Sequence, residues 1–501
     1  GSGSVAPHRS ISERQLVRER LTPDSSGIVL VMVGLPARGK SFIARKVEHF
    51  LQWRGLQTRM FNVGKYRRDS VAAELSGRSD FFDPRNESAL AARENAATAA
   101  LADVLAFLDS GGKIAIFDAT NSTVKRRRLI VEQVNAHARH YSVIFVEAFC
   151  DDKEVLEMNM RGKVANSPDF LNMPPEAALA DLQARIRKYE EVYESVNDDE
   201  GASIKLYNLS SKVMANHIYG RIAKSILPYL MAIHIGARPI WLVRAGAGQA
   251  NPQSPGAGDR LSKLSDAGRS FAVSLAEFVR AGAARFWQET GKPQEPTHVI
   301  TSTMPRAVAS VCNVTTQHGQ TSALNPIDKG AIGAGYWDVE CNADVPPWQD
   351  VERRHAEFFA QLRRDPLRTR FPGGESYMDV ICRLEGLLID VEMSTRPVLI
   401  VSHITVLQLL VAYFRGLPIE DAWQLSIPKS TVIQVTPTLG GGFVYEEHPL
   451  SMEEADATGD KPTRKRSLGS ESAEFSEAAE ESPSSAAACA SKRARVDSGL
   501  C

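Results

Sequence analysis

Residues 27–33 (GIVLVMV) form an unbroken apolar run bounded by glycine, the pattern of a strand buried on both faces. Similar β-rich runs recur at 58–61, 113–117 (KIAIF) and 142–146 (SVIFV). Segments of helical period separate them, among them 41–53 and 89–108. Strands alternating with helices predict a mainly parallel α/β sheet. The pattern restarts after 227–239 (LPYLMAIHIGARP), because 240–243 (IWLV) is a fresh strand followed by glycine-rich sequence. Strands at 297–300, 397–401 and 431–436, with helices at 266–281 and 404–414, predict a second α/β domain.

These breaks divide the chain into a polar extension over 1–26, a first domain over 27–238, a second over 239–449 and a tail from 450 to 501. The extension opens on Gly1-Ser2-Gly3-Ser4, which reads as an expression scar. The tail is rich in Ser, Glu and Ala with Phe475 as its one aromatic, so it buries too little apolar area to offset ordering entropy and is expected to be disordered.

Composition narrows the function classes. The formal net charge of the 501 residues is −1, which removes the overall basic excess expected of a nucleic-acid or anionic-membrane binder. No apolar run reaches the length of a membrane span. The six cysteines are scattered without a Cys-x-x-Cys pair, which points away from zinc fingers and disulfide frameworks towards a reducing, cytoplasmic setting. Arg464-Lys465-Arg466 and Lys492-Arg493-Ala494-Arg495 in the tail also fit a nuclear address, although such clusters are commonly just solvated.

The most specific motif is Gly34-Leu35-Pro36-Ala37-Arg38-Gly39-Lys40-Ser41, a match to G-x-x-x-x-G-K-[ST] between a buried strand and a helix. Its glycines let backbone N–H groups face phosphate oxygens, Lys40 supplies charge at the terminal phosphates, and the Ser41 hydroxyl is a ligand for Mg²⁺. A nucleotide with Mg²⁺ is therefore the expected ligand. Asp118, in FDATN at the C-terminal end of an apolar strand, stands where open α/β sheets bind ligands, within reach of the metal or of an attacking hydroxyl. Alone it would more commonly start a turn or cap a helix. Tyr66-Arg67-Arg68, Arg93 and Lys125-Arg126-Arg127-Arg128 offer forks for a substrate's own phosphate, each reading equally as a solvated helix face.

GLPARGKS, FNVGKYRR, FFDPRNESALAAR, FDATN, CDDKEV and NSPDF, in this order, resemble the kinase half of the 6-phosphofructo-2-kinase/fructose-2,6-bisphosphatase family. RPIWLVRAG, TSTMPR, FPGGESYMDV and VSH carry the resemblance through the second half. It implies a P-loop kinase domain followed by an α/β histidine-phosphatase-like, phosphoglycerate mutase-like domain. It also implies transfer of the ATP γ-phosphoryl to the 2-hydroxyl of fructose 6-phosphate, in a commonly dimeric protein. Under this resemblance Gly34 to Ser41 and Asn159 hold ATP, and Lys40, Asp118 and Lys163 are catalytic. Arg67, Arg93, Thr120, Arg126, Arg185 and Tyr189 hold the sugar phosphate. Arg185 and Tyr189, four apart, share a helical face. The family lysine aligns with Val164, so Lys163 is displaced by one residue.

The second domain departs further. Where such phosphatases carry Arg-His-Gly, this chain reads Arg244-Ala245-Gly246, and alanine cannot accept a phosphoryl group. Arg306 and His403 remain as a remnant pocket with Arg244 and Ala245. The proton-donating glutamate of the LNEIDAG-x-x-E-type run is missing from residues 324–333 (LNPIDKGAIG). The expected function is a 6-phosphofructo-2-kinase with a silent bisphosphatase domain. The alternatives are a pseudoenzyme that binds ATP and sugar phosphate without turnover, and a nucleic-acid end kinase, which the neutral charge disfavours.

Overall fold

The computed structural model describes residues 27–70, 79–83, 85–171, 173–209, 211–234, 236–249, 263–330, 353–438 and 440–450. The expectations for the N-terminal extension, for residues 331–333 of the altered phosphatase run and for the tail with its basic clusters lie outside these residues.

Two six-stranded sheets organise the chain. In the first the strands are β1 (Ile28–Val33), β2 (Thr58–Asn62), β3 (Ile114–Asp118), β4 (Ser142–Phe149), β5 (Ala202–Tyr207) and β6 (Lys212–Asn216), in the spatial order β2-β3-β1-β4-β5-β6. All pairings are parallel except β5 with β6. The chain leaves β1 to one side for β2 and β3, then returns on the other for β4, so the strand order reverses around β1. A crevice opens there at the C-terminal strand ends. In the second sheet β7 (Ile240–Arg244), β8 (His298–Ser302), β9 (Gly319–Thr321), β10 (Val398–Ser402), β11 (Thr431–Pro437) and β12 (Phe443–Pro449) run in the order β12-β11-β7-β10-β8-β9. Here β11 and β12 are antiparallel. The mainly parallel α/β expectation therefore holds for both sheets, with antiparallel strands added at one edge of each.

Alternation along β1 feeds two layers, as a pleated strand requires. Val29, Val31 and Val33 pack beneath α3 (Glu87–Asp109) and α4 (Val124–Ala136) through Ala97, Ala100, Val104, Ile130 and Val134. Ile28, Leu30 and Met32 face α1 (Lys40–Trp53) and α7 (Arg221–Ala232). That second cluster continues without a break into α11 (Tyr377–Met393), α12 (Ile404–Arg415) and the inner residues Ile240, Leu242, Val398 and Ile400 of the second sheet. One helical layer is therefore shared between the two sheets. The far face of the second sheet is covered by α8 (Asp266–Thr290) and α9 (Pro305–Ser310). Buried polar bonds stitch the shared layer: Lys46 Nζ on α1 lies 3.1 Å from Glu392 Oε1 on α11, and Trp53 Nε1 donates to the Leu409 carbonyl at 2.9 Å.

Candidate active site

The loop between β1 and α1 is shaped by its glycines. Gly34 has φ +139°, and a Cβ there would stand 2.7 Å from the Ala148 carbonyl oxygen, so no side chain fits. Gly39, in the left-handed region at φ +82°, turns the backbone into α1. The Gly34 N–H donates to the Thr120 carbonyl at 2.9 Å, which ties the loop to the end of β3. Lys40, at the first position of α1, is 7 % exposed, and its Nζ donates to the Leu35 carbonyl at 2.6 Å. Burial, reinforced by the neighbouring charges of Lys163 and Arg38, lowers its pKa to about 7.

Asp118 ends β3 directly across the loop. Its Oδ2 accepts from the Ser41 hydroxyl and from Asn62 Nδ2, each at 2.7 Å. Both bonds fall on one oxygen. Hydroxyl and carboxylate oxygens side by side are the hard donors that Mg²⁺ takes, normally completed by water and substrate phosphates. Among the described residues there is no cluster of three or more His, Cys, Asp or Glu that would make a dedicated metal cage. Ser41 and Asp118 therefore fit a metal that arrives with its nucleotide.

Helix α5 (Lys153–Asn166) forms another wall. Lys163 shares a helical face with Asn159, four residues earlier. Val164 instead packs with Ala37, Phe170, Leu182 and Ile186. The one-residue displacement is thus used in packing, and the lysine charge faces the site: it acts on Lys40, and is itself acted on by Asp118, Asp169, Arg185 and Arg67. Its pKa is lowered, first by desolvation, with the two carboxylates opposing. Lys163 remains accessible to solvent, so this is the desolvation of a cleft and not of a sealed interior.

The candidate sugar-phosphate residues divide. Arg67, from α2 (Val63–Ser70), and Arg185, from α6 (Pro175–Glu190), are both buried and converge on Asp169, at 2.7 and 2.9 Å. Arg185 and Tyr189 both meet the Phe82 ring, at 4.6 and 5.9 Å from its centroid, as expected of one helical face. Arg126 is half-buried within the fields of Tyr189 and Glu94, and burial lowers its pKa. Thr120 is half-buried at the end of β3, whereas Arg93 turns its Nε back to the Ala89 carbonyl of its own helix at 3.3 Å. Reading the whole run 125–128 as a solvated face fails at Arg127. That side chain is fully buried, paired with Glu200 at 2.6 Å and bonded to the carbonyls of Asn121, Glu194 and Ser195.

In the second domain the remnant residues also meet. Arg244 ends β7 opposite Ser402 of β10, and the Ala245 N–H donates to the Ser402 carbonyl at 2.9 Å. His403, capping α12, is 2 % exposed. Its Nδ1 lies 3.2 Å from Arg306 Nη2 and its Nε2 lies 3.0 Å from Ser302 Oγ. Ala245, next to Arg244 in the chain, offers only a methyl group, which packs against the cluster under α8 and α9. Sequence reasoning missed Asn62, Phe82 and Asp169, although all three stand inside the quoted strings. Their types did not advertise a role, because a strand-end amide, a phenyl ring and a single carboxylate gain one only from what they touch.

A phosphate-binding loop facing an acidic strand end, joined through a shared core to a second α/β domain with arginines and histidine at its strand ends, defines a P-loop kinase fold fused to a histidine-phosphatase fold. Family models agree: one for 6-phosphofructo-2-kinase matches residues 18–237, and one for the histidine phosphatase superfamily (branch 1) matches 240–447. The chain is 35% identical over 438 residues to 6-phosphofructo-2-kinase/fructose-2,6-bisphosphatase of Gallus gallus, covering 87% of each chain. It is 35% identical over 417 residues to 6-phosphofructo-2-kinase/fructose-2,6-bisphosphatase 4 of Homo sapiens, covering 82% of this chain and 83% of that one. Against the Arabidopsis thaliana relative the identity is 34% over 420 residues; this chain spans 53% of that protein. The chain belongs to the 6-phosphofructo-2-kinase/fructose-2,6-bisphosphatase family. No helix among the described residues is long and apolar enough to cross a membrane.

Proposed function

We propose that this chain transfers the γ-phosphoryl of ATP to the 2-hydroxyl of fructose 6-phosphate and does not hydrolyse the product. The observation that carries the kinase reading is the meeting of Lys40, Ser41, Asp118 and Lys163 with the Arg67–Arg185 pair around one crevice. In this reading the loop amides and Asn159 seat the nucleotide. Lys40 leaves the Leu35 carbonyl for the phosphates, which restore its proton. Ser41 and Asp118 would hold Mg²⁺, whose charge would offset that of the phosphates. Asp118 receives the proton of the sugar hydroxyl, and Lys40 and Lys163 stabilise the oxygens of the phosphoryl group in transit. Lys163 in the crevice favours transfer over a binding-only pseudoenzyme.

Loss of hydrolysis rests on Ala245, which has no nucleophilic atom beside Arg306 and His403. Both activities are to be measured on one preparation. ATP-dependent formation of an acid-labile sugar bisphosphate is expected from the wild type. It should fall at least about a thousandfold in K40M, a loss typical of removing a transition-state charge. Undiminished turnover in K40M, or phosphate release from fructose 2,6-bisphosphate that depends on His403, would refute the respective half. A cytoplasmic, dimeric protein is the setting consistent with this reading.

A further inference from the structure

Two arginines that must grip one phosphate repel each other and carry long, flexible stems. Holding both in place before the ligand arrives requires an anion and a surface. Asp169 supplies the anion. Both its oxygens lie 2.7 Å from Arg67 Nη2, Oδ2 lies 2.9 Å from Arg185 Nη1, and Arg68 Nη1 follows at 3.6 Å. The side chains of Arg67, Arg185 and Asp169 are 7, 5 and 9 % exposed. Burial alone would raise the carboxyl's pKa, but Arg67 and Arg185 outweigh it and hold Asp169 below the usual carboxylate range, as an anion.

The surface is aromatic. The guanidinium carbons of Arg67 and Arg185 stand 5.0 and 4.6 Å from the centroid of Phe82, and Arg185 lies 4.7 Å from that of Phe170. Asp181 fixes Arg185 Nε at 2.7 Å. Arg67 differs in one respect: its Nε is buried and has no hydrogen-bond partner among the described residues. A guanidinium held by one nitrogen and leaving another buried donor unpaired is a fork set for an incoming oxygen.

From this geometry we infer that Asp169 is a positioning residue for the sugar phosphate: it holds Arg67 and Arg185 in the planes from which they bind the substrate's phosphate. The inference rests on the kinase reading for the identity of that substrate. Asp169 does not touch the reacting atoms; it acts through the arginines, by removing the rotamer freedom they would otherwise lose on binding.

The test is kinetic, on the full chain, with D169N and D169E. In D169N the KM for fructose 6-phosphate should rise at least about tenfold while the KM for ATP stays within twofold, and D169E should recover part of the loss. A merely structural lesion would move both constants together. Thermal unfolding reports whether each variant is folded, and D169E carries the comparison if D169N is not. An unchanged sugar-phosphate KM, a tighter one (Asp169 as a competitor for the arginines), or equal changes in both constants would overturn the inference. Calorimetric titration with fructose 6-phosphate separates the two readings. A wild type that binds the sugar without turnover ends the kinase reading, and the same tenfold weakening in D169N is still expected. No binding to the wild type ends both.

Discussion

The Lys46–Glu392 pair joins the helix that follows the phosphate loop to the second domain. Its two side chains are 2 and 3 % exposed, Lys46 Nζ reaches both carboxylate oxygens at 3.1 and 3.2 Å, and the ammonium lies 4.0 Å over the Phe443 ring. Tyr413 donates to the same carboxylate, and Tyr229 shares a 2.8 Å bond with Tyr413. Burial alone would raise the Glu392 pKa, but Lys46 and the Tyr413 bond hold it below the ordinary glutamate value; burial lowers that of Lys46. In E392Q the Lys46 charge is left buried without its counterion, which costs about 3–5 kcal/mol. With an unfolding entropy near 2 cal/mol/K per residue over roughly 400 ordered residues, the unfolding midpoint falls by about 4–6 °C. The loss depends on pH with a definite sign. A lysine whose folded pKa is depressed favours the unfolded state when protonated, so E392Q is least affected near the ordinary lysine pKa; its deficit grows as the pH falls from there to the lowered value and levels off below it. Scanning calorimetry at pH 6 and pH 9 measures both effects. The double variant K46M/E392L removes both charges and should recover most of the midpoint. An E392Q midpoint within 1 °C of wild type, or a double variant that loses the sum of the two single losses, would show that the pair does not bear on stability as argued.

Two further outcomes follow from the site. Because Lys40 has a pKa of about 7 in the free protein, phosphates should draw a proton onto it. Uptake on MgATP binding, measured by calorimetry in buffers of different ionisation enthalpy, should be larger at pH 8 than at pH 6, and pH-independent uptake would contradict the desolvated lysine. On the proposed reading, A245H introduces an imidazole while 324–333 still holds no glutamate, so hydrolysis of fructose 2,6-bisphosphate should stay at background. Measurable release of phosphate from that single variant would show that another group supplies the proton.

What the sequence made legible was whatever is local. The buried runs at 27–33 and 240–243 became β1 and β7, and the glycine spacing of 34–41 implied the loop geometry that Gly34 and Gly39 adopt. Edge strands such as Lys212–Asn216 escaped, because an exposed antiparallel strand carries no apolar run to mark it. Arg127 was misread with its neighbours because helical spacing cannot distinguish a solvated arginine from one whose five N–H donors are met by Glu200 and three carbonyls. Asp169 illustrates the same limit within the site. Its position in NSPDF drew attention to the string, but its partners come from residues 102 positions earlier and 16 later.

The shared layer also bears on the proposed loss of hydrolysis. Helix α1 begins at Lys40 and Ser41 of the phosphate-loop motif, and further along it meets the second domain: Phe42 packs beside Gly441, Lys46 pairs with Glu392, and the Trp53 ring stands edge-on to Tyr413. Removing the second domain would expose the Phe42 and Trp53 rings and leave the Lys46 ammonium and the Trp53 indole N–H without their partners. Each apolar side chain newly facing water costs about 1.5–3 kcal/mol, against a total stability of about 5–15 kcal/mol for a typical domain. Ala245 takes no part in the shared layer, because it packs instead against the cluster under α8 and α9 on the other face of the sheet. On the proposed reading a histidine at position 245 is dispensable to the kinase half in a way that α11 and α12 are not, and the architecture permits loss of hydrolysis with retention of the fold.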